Sequence, residues 1–430
     1  MSSVIKFAKT IRNNWKKSVF AALAVSYGIS YGNEKYKINC LMRKYCQEAI
    51  KYGDLPIAAS TLPKSVTVVL NPAANKRSAN DHFKKYCEPI LHLGGFSVNI
   101  ISTTAEGSAR KIIEEMPTLP DALLVAGGDG TLAETVTGML RRPDGATCPI
   151  GVLPLGRCSN VGSEMFPGAS ESGIKRVSAL AKSAMAVLQG KETYRDVMQI
   201  KLLADQVNSE EEITKEAKPV YAVGSLQWGA FRDAISNRDK YWYYGPLREY
   251  VTFLFNGYKD TLTWSCKALL SYSDPCSGCQ NCVQKKKPTV QHSSWWTRIL
   301  PKVTEKKPLD EIDYSKIYNE DCVQVHEKTI ETLDFQLTTS QIEADGTPSL
   351  RVKLGPDKIT YGDFVSEGWK RIKGDKSNVV EKLDARMLEL IPETISSEEK
   401  PVWFAIDNEE YEVKPIRVTL IPKAIKVFCS

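Results

Sequence analysis

Short apolar runs rich in β-branched residues recur along the first half of the chain, and stretches with helical spacing separate them. Ser65–Leu70 (SVTVVL), Val98–Ile101, Ala122–Ala126 and Ile150–Leu153 have the make-up of buried strands. Leu132, Val136, Met139 and Leu140 mark the apolar face of an intervening helix. This alternation predicts an α/β layered domain over 64–196. From 197 to 430 the pattern becomes many short β-rich runs: Ala268–Tyr272, Thr332–Leu337, Leu350–Leu354, Val402–Ile406 and Pro415–Pro422. They predict a second, antiparallel β domain of the sandwich type. Two polar stretches interrupt it as insertions: 204–219, which is acidic, and 273–319, which is basic and proline-bearing. The second holds Lys285–Lys287, Trp295 and Trp296, residue types suited to a membrane interface, though a solvated loop is the plainer reading.

The N-terminal segment is different again. No acidic residue occurs before Glu34, and Lys6, Lys9, Arg12, Lys16 and Lys17 precede an apolar run from Val19 to Ile29. Val4, Phe7, Ala8, Ile11 and Trp15 recur at helical spacing with the lysines on another face. Residues 1–33 therefore predict a targeting or membrane-anchor segment built on a short helix, of the acid-free amphipathic kind that suits mitochondrial import. The apolar part is shorter than the ~20 residues that comfortably span a bilayer, so a marginal anchor, an interfacial helix and a cleavable presequence all stay open. Residues 34–63 predict a helical connector to the first domain.

Composition changes the picture little. With 42% hydrophobic and 25% charged residues the chain is globular, and its length suits two domains plus an extension. The net charge of +6 fits phosphates or an anionic membrane surface, and no RNA- or DNA-binding motif supports a nucleic-acid partner. Eleven cysteines, mostly scattered singly, argue against a secreted disulfide framework. Cys276, Cys279 and Cys282 form C-x-x-C-x-x-C, a cysteine-rich loop that could hold zinc if Cys266 or His292 completed four ligands.

The strongest chemical signal is the strand run Asp121–Ala126 followed by Gly127-Gly128-Asp129-Gly130-Thr131 and then the helix. A strand ending in glycines and feeding a helix offers bare backbone N–H groups and a positive dipole end to polyphosphate, with no Cβ in the way. Asp129 stands where it can act through a metal ion. The glycine–aspartate string resembles the signature shared by diacylglycerol, sphingosine and NAD kinases and phosphofructokinases. Asn71-Pro72 resembles the loop that opens the lipid-kinase catalytic domain, with Ala73–Arg77 where glycines are usual. Pro154-Leu155-Gly156 is similar to a second nucleotide motif, with Arg157 where Thr is usual and Ser159-Asn160 where Asn-Asp is usual. The stretch from Trp228 to Ala234 and on to Arg248 looks like the sphingosine kinase segment that positions lipid and nucleotide. Asp407-Asn408-Glu409 is similar to the lipid-kinase Asp-Gly-Glu.

By these motifs and its basic N-terminus the chain resembles the acylglycerol kinases of the diacylglycerol kinase and sphingosine kinase superfamily. The resemblance implies an N-terminal α/β nucleotide-binding domain and an antiparallel β-sandwich. It implies transfer of the ATP γ-phosphoryl group to diacylglycerol and monoacylglycerol, giving phosphatidic and lysophosphatidic acid, with ceramide or sphingosine as further acceptors. Asn71, Gly127, Gly128, Gly130, Thr131, Gly156 and Arg248 would hold the nucleotide, Asp129 would orient Mg²⁺ through water, Asp233 would bind the lipid headgroup and Glu409 would be the general base. It further implies the mitochondrial inner membrane, facing the intermembrane space. Two rivals stand beside this reading. One is an NAD kinase. The other is a non-catalytic scaffold on the inner-membrane protein-import machinery, the carrier translocase.

Overall fold

The computed structural model describes residues 13–54, 64–157, 159–203, 218–256, 266–282, 317–320, 322–339, 347–374, 378–393 and 402–429. Helix α1 (Trp15–Gly53) comes first. The first half then alternates strands and helices: β1 (Ser65–Leu70), helical turns within Ala74–Leu93, β2 (Ser97–Ser102), α2 (Ser108–Glu115), β3 (Ala122–Gly127), α3 (Asp129–Leu140), β4 (Ile150–Pro154), α4 (Asn160–Met165) and α5 (Gly173–Gln189). There follow β5 (Glu192–Leu202), β6 (Val220–Ala222), β7 (Ser225–Gly229), α6 (Ala230–Ser236), a 3₁₀ segment over Asn237–Leu247 and α7 (Arg248–Asn256). The rest is β8 (Cys266–Ser273), β9 (His326–Thr332), β10 (Asp334–Thr339), β11 (Leu350–Leu354), α8 (Tyr361–Lys373), β12 (Glu381–Ala385), β13 (Met387–Pro392), β14 (Trp403–Ile406), β15 (Glu409–Glu412) and β16 (Ile416–Phe428).

Two sheets organise these elements. Parallel strands in the order β2-β1-β3-β4 form one end of a ten-stranded sheet, which continues through β16 into antiparallel β13, β8 and β9. β1, β3 and β4 are buried because both faces are covered, while the edge strand β2 is largely exposed. Val66, Val68, Leu124 and Ala126 pack toward α1 and α5, while Val69, Leu123 and Val125 pack toward α2 and α3. The second sheet, β12-β11-β10-β7-β14-β15, is antiparallel throughout. Its inner residues, among them Trp228, Phe335, Leu337 and Phe404, meet Leu270, Leu388, Val418 and Leu420 of the first sheet in one shared core. The chain is thus an α/β unit followed by a β-rich unit with an antiparallel sandwich.

β16 joins the two units. Residues Ile416–Ile421 pair with β5, and part of that stretch also pairs with β13. A bulge follows, where Lys423 takes φ +51° and its N–H donates to Asp196 Oδ1 at 2.7 Å. Beyond it Ile425–Phe428 pair with the start of β5, and Val427 also meets Ile150 of β4. The expected division at 196/197 falls inside β5, so the two units share a strand as well as a sheet.

Helix α1 runs unbroken across the expected division at 33/34, so the parts expected as anchor and connector belong to one helix of 39 residues. Its C-terminal part docks: Ile38 and Ala49 are buried against the first unit. Its N-terminal part bears exposed Trp15, Val19, Phe20, Leu23 and Val25. No helix among the described residues is long and apolar enough to cross a membrane. Residues 204–217 and 283–316 of the two insertions, the latter including Trp295 and Trp296, lie outside the described residues.

Candidate active site

The parallel strands end together, and the chemistry gathers beyond their C-terminal ends. β3 delivers Gly127, Gly128 in extended backbone caps α3, and the helix opens on Asp129, Gly130 and Thr131. The first N–H groups of a helix have no partner inside it, so this end presents donors and partial positive charge to the space above. The glycines are required by close approach. A Cβ on Gly156 would lie 2.5 Å from Gly128 Cα, and the Gly156 N–H donates to Gly127 O at 2.8 Å. Asn71, at the end of β1, donates from Nδ2 to Thr131 Oγ1 at 3.2 Å and accepts the Ala73 N–H at 3.0 Å.

The second unit closes the site from above with the β14–β15 hairpin. Asp407 and Asn408 take φ +47° and +68°, the left-handed pair of a two-residue hairpin turn, where Asp and Asn are favoured. Asp407 is buried and fixed: Oδ2 accepts the Val223 N–H at 2.7 Å, and Oδ1 accepts those of Gly224 at 2.9 Å and Ser225 at 2.7 Å. Asn408 Nδ2 donates to Asp129 Oδ2 at 3.1 Å, although the two residues are 279 positions apart. Asp129 is itself buried. Its Oδ2 also accepts the Asn160 N–H at 2.7 Å and its Oδ1 that of Val161 at 3.1 Å, so this carboxylate ties α3, α4 and the hairpin together.

Glu409 follows the turn and lines the same cleft. A Cβ on Gly130 would lie 2.7 Å from Glu409 Oε1, so the carboxylate rests directly over the start of α3. Tyr411 donates its hydroxyl to Glu409 Oε2 at 3.1 Å. Burial and then the nearby Glu134 push the Glu409 carboxyl up to about 8, with the Tyr411 hydroxyl pulling the other way. Burial likewise lifts Asp407 to about 7 and Asp129 to about 6, against the N–H groups that bond each of them. These residues line a cleft of about 370 Å³ together with Thr103, Glu106, Glu134 and Arg157. A second cleft, of about 450 Å³, shares Asn408 and is lined further by Asn160, Gln227, Ile235, Arg238, Phe253 and Ile372.

Asn71, Gly128, Asp129, Gly130, Thr131, Gly156 and Glu409 thus come together in one cleft, with Gly127 at its floor. Arg248 does not line it. Its Nη1 stands 3.6 Å from Asp239, whose Oδ1 also accepts from Arg157 at 2.9 Å, so it reaches the cleft wall through Asp239. Asp233 lines neither cleft; it pairs with Arg232 at 2.7 Å, and Arg232 pairs in turn with Glu410 at 2.7 Å. Sequence reasoning missed Glu106, Glu134 and Tyr411. For Glu134 a signal existed, since it lies one helical turn after Gly130 on the same face. Its carboxylate accepts the N–H groups of Gly107 at 2.7 Å and Ala109 at 3.0 Å, capping α2. Of the two residues expected to complete a set with Cys276, Cys279 and Cys282, Cys266 is buried in the sandwich core and His292 lies outside the described residues; Cys322 joins the three cysteines instead of Cys266.

Comparison with known proteins identifies relatives of this chain. The family model for the diacylglycerol kinase catalytic domain matches residues 65–200, and that for the acylglycerol kinase C-terminal region matches 223–430. The mitochondrial acylglycerol kinase of Homo sapiens is 36% identical, over 99% of this chain and 96% of its own. That of Xenopus laevis is 31% identical over 100% of this chain and 96% of its own. Sphingosine kinase 1 of Homo sapiens is 27% identical over 43% of this chain and 46% of its own. A crystal structure from Bacillus anthracis str. Sterne, described as a diacylglycerol kinase, has a TM-score of 0.50 at 13% identity, covering 86% of this chain and 99% of its own; it speaks for the fold alone.

Proposed function

This chain belongs to the acylglycerol kinase family and is a lipid kinase with ATP as its co-substrate, and from that premise we propose that it phosphorylates the free hydroxyl of diacylglycerol and monoacylglycerol in the space between the two clefts. The observation that carries the reading is the placement of Glu409 over the first turn of α3. Phosphoryl transfer needs positioning and charge neutralisation more than covalent help. The N-terminal end of α3, with Gly128, Gly130, Thr131 and Asn71 beside it, cradles the phosphates. The second cleft, with apolar Ile235, Phe253 and Ile372 beside polar Gln227 and Arg238, receives the glycerol ester, so the two substrates meet at Asn408. Glu409 accepts the hydroxyl proton on Oε1 as the new P–O bond forms, and Tyr411 orients that carboxylate through Oε2.

The donor set suits a hard divalent cation. Around the nucleotide cleft stand Glu106, Asp129, Glu134, Asp407 and Glu409, all oxygen donors, and among the described residues no thiol or imidazole lines it. Mg²⁺ bound there would neutralise charge on the phosphates. Asp129, already accepting three N–H bonds, would hold it through water. The exposed apolar start of α1, with Lys16 and Lys17, would lie in a membrane interface; a mitochondrial inner-membrane site facing the intermembrane space is consistent with the mitochondrial relatives. Purified chain with labelled ATP, offered diacylglycerol, monoacylglycerol, sphingosine, ceramide and NAD side by side, tests the reading. Label in phosphatidic and lysophosphatidic acid is expected. Label in NADP alone, or in none of the five acceptors, would overturn it.

A further inference from the structure

The polar insertion between β8 and β9 begins and ends at cysteines. Cys276, Cys279 and Cys282 follow β8, Cys322 precedes β9, and the four Sγ atoms all lie within 4.8 Å of one another. Cys276 Sγ and Cys282 Sγ are 3.7 Å apart. Thiolates bonded at about 2.3 Å to a tetrahedral zinc stand roughly 3.8 Å from each other. Disulfide sulfurs are only about 2.05 Å apart.

The surroundings fit a metal as well as the sulfurs do. Cys279 is fully buried, Cys276 and Cys322 nearly so, and among the described residues this small cluster consists of the four cysteines. Four thiolates around a divalent ion leave net negative charge, and N–H donors are aimed at them. Arg386 approaches Cys322 Sγ with Nη1 at 3.4 Å and donates from Nη2 to Cys282 O at 2.8 Å. Asn319 Nδ2 is 3.5 Å from Cys276 Sγ, and the Cys279 N–H donates to Cys282 Sγ at 3.1 Å. Arg386 is anchored between β12 and β13: its N–H donates to Ser273 O at 2.9 Å and its carbonyl accepts from Leu420 at 3.0 Å. Outer donors of this kind orient thiolate ligands and hold their charge.

We propose that Cys276, Cys279, Cys282 and Cys322 bind one structural zinc ion that fastens both ends of the insertion to the β8–β9 edge of the large sheet. The set is closed, with four sulfur ligands and no open position, so the ion has no part in phosphoryl transfer. Soft sulfur also separates it from the oxygen-lined kinase cleft. Binding converts four thiols to thiolates and releases their protons to solvent, so zinc is held more tightly as pH rises.

The test is metal analysis of the purified full-length chain by plasma mass spectrometry, with cobalt(II) exchange read by absorption. One zinc per chain is expected, lost in Cys322→Ser and Cys276→Ser and kept in Cys266→Ala. The cobalt form is expected to show the d–d and sulfur charge-transfer bands of a tetrahedral thiolate site. Because a serine variant can fail to fold, the cobalt spectrum of the unaltered chain stands as the independent measurement. A chain that carries no zinc, with its thiols free or paired as disulfides, overturns the proposal. So does an octahedral cobalt spectrum, or a folded Cys322→Ser chain that retains full zinc.

Discussion

Glu409 and Glu410 share one chemistry, and the pleat of β15 sends them to different work. Glu409 faces the cleft, while Glu410 turns away and pairs with Arg232. Glu409→Gln keeps size but cannot accept a proton, so turnover should fall by roughly 10² to 10⁴ while ATP affinity, read by calorimetry, survives. Glu410→Gln should retain turnover and lose only about 0.5–1 kcal/mol of stability with its half-exposed ion pair. If Glu410→Gln loses turnover and Glu409→Gln does not, the base is misassigned. Asp129 shows how far a motif reaches. The string around it gives its chemistry, but nothing in the string reveals Asn160, Val161 and Asn408 as its donors. Judged by shape alone, Asp129→Asn leaves the fold untouched; the structure revises that. The amide NH₂ must face one of the buried N–H donors, so a loss of ~1–3 kcal/mol is expected in chemical denaturation, in addition to lost kinase activity. Stability equal to the parent would show that the three bonds are not held in solution.

At the scale of elements the turn between β14 and β15 is the sharpest constraint. Asn408 replaces the glycine usual in the motif, and its φ of +68° explains why Asn is the tolerated alternative. Asn408→Gly should fold normally, losing only the bond to Asp129. Asn408→Val should cost at least ~1–2 kcal/mol in denaturation, because a β-branched residue resists left-handed backbone. Equal stability of the two variants would remove the turn from the account. Strands of the parallel sheet were legible almost to the residue, as with Ser65–Leu70, because burial on both faces leaves an unbroken apolar run. Thr332–Leu337 was not: the apolar run continues through a bend at Leu333, where the chain passes from β9 in the first sheet to β10 in the second, so composition cannot mark the break. Helices α6, α7 and α8 within the β-rich half also went unread, since aromatic residues such as Phe231, Phe253 and Phe364 suit either element and here pack together. Helix α1 was read in two pieces because its charge pattern changes at Glu34, although its backbone does not. Deletion of residues 1–33 leaves the docked part of α1 in place. The truncated chain should float free of vesicles yet phosphorylate detergent-dispersed lipid at the parental rate. Retention on vesicles would move the anchor elsewhere.

For the whole molecule, the cleft is a place where folding concentrates carboxyl groups. Glu409, Asp407 and Asp129 all have folded-state pKa values raised by burial, to about 8, 7 and 6. A group whose pKa is raised binds more protons folded than unfolded, so its contribution is full below the unfolded value and is lost as pH rises through the folded one. The chain freed of metal with EDTA should therefore melt at progressively lower temperature from about pH 4.5 to about pH 8. Glu409→Gln should flatten the upper part of that slope, and a slope of opposite sign would contradict the burial of these groups. None of this was legible from the motifs, which lie far apart in sequence and repel one another only once folded. The bulged strand β16 sets a further condition, one of time. β4 and β5 are made before β16, yet β16 is the strand that lies between β4 and β13, with Val427 against Ile150. A chain emerging from a ribosome or a translocation pore N-terminus first exposes its glycine loop long before that gap can be filled. The cleft is therefore completed only once the β14–β15 hairpin and β16 have been made, and until then β4 has an unpaired edge.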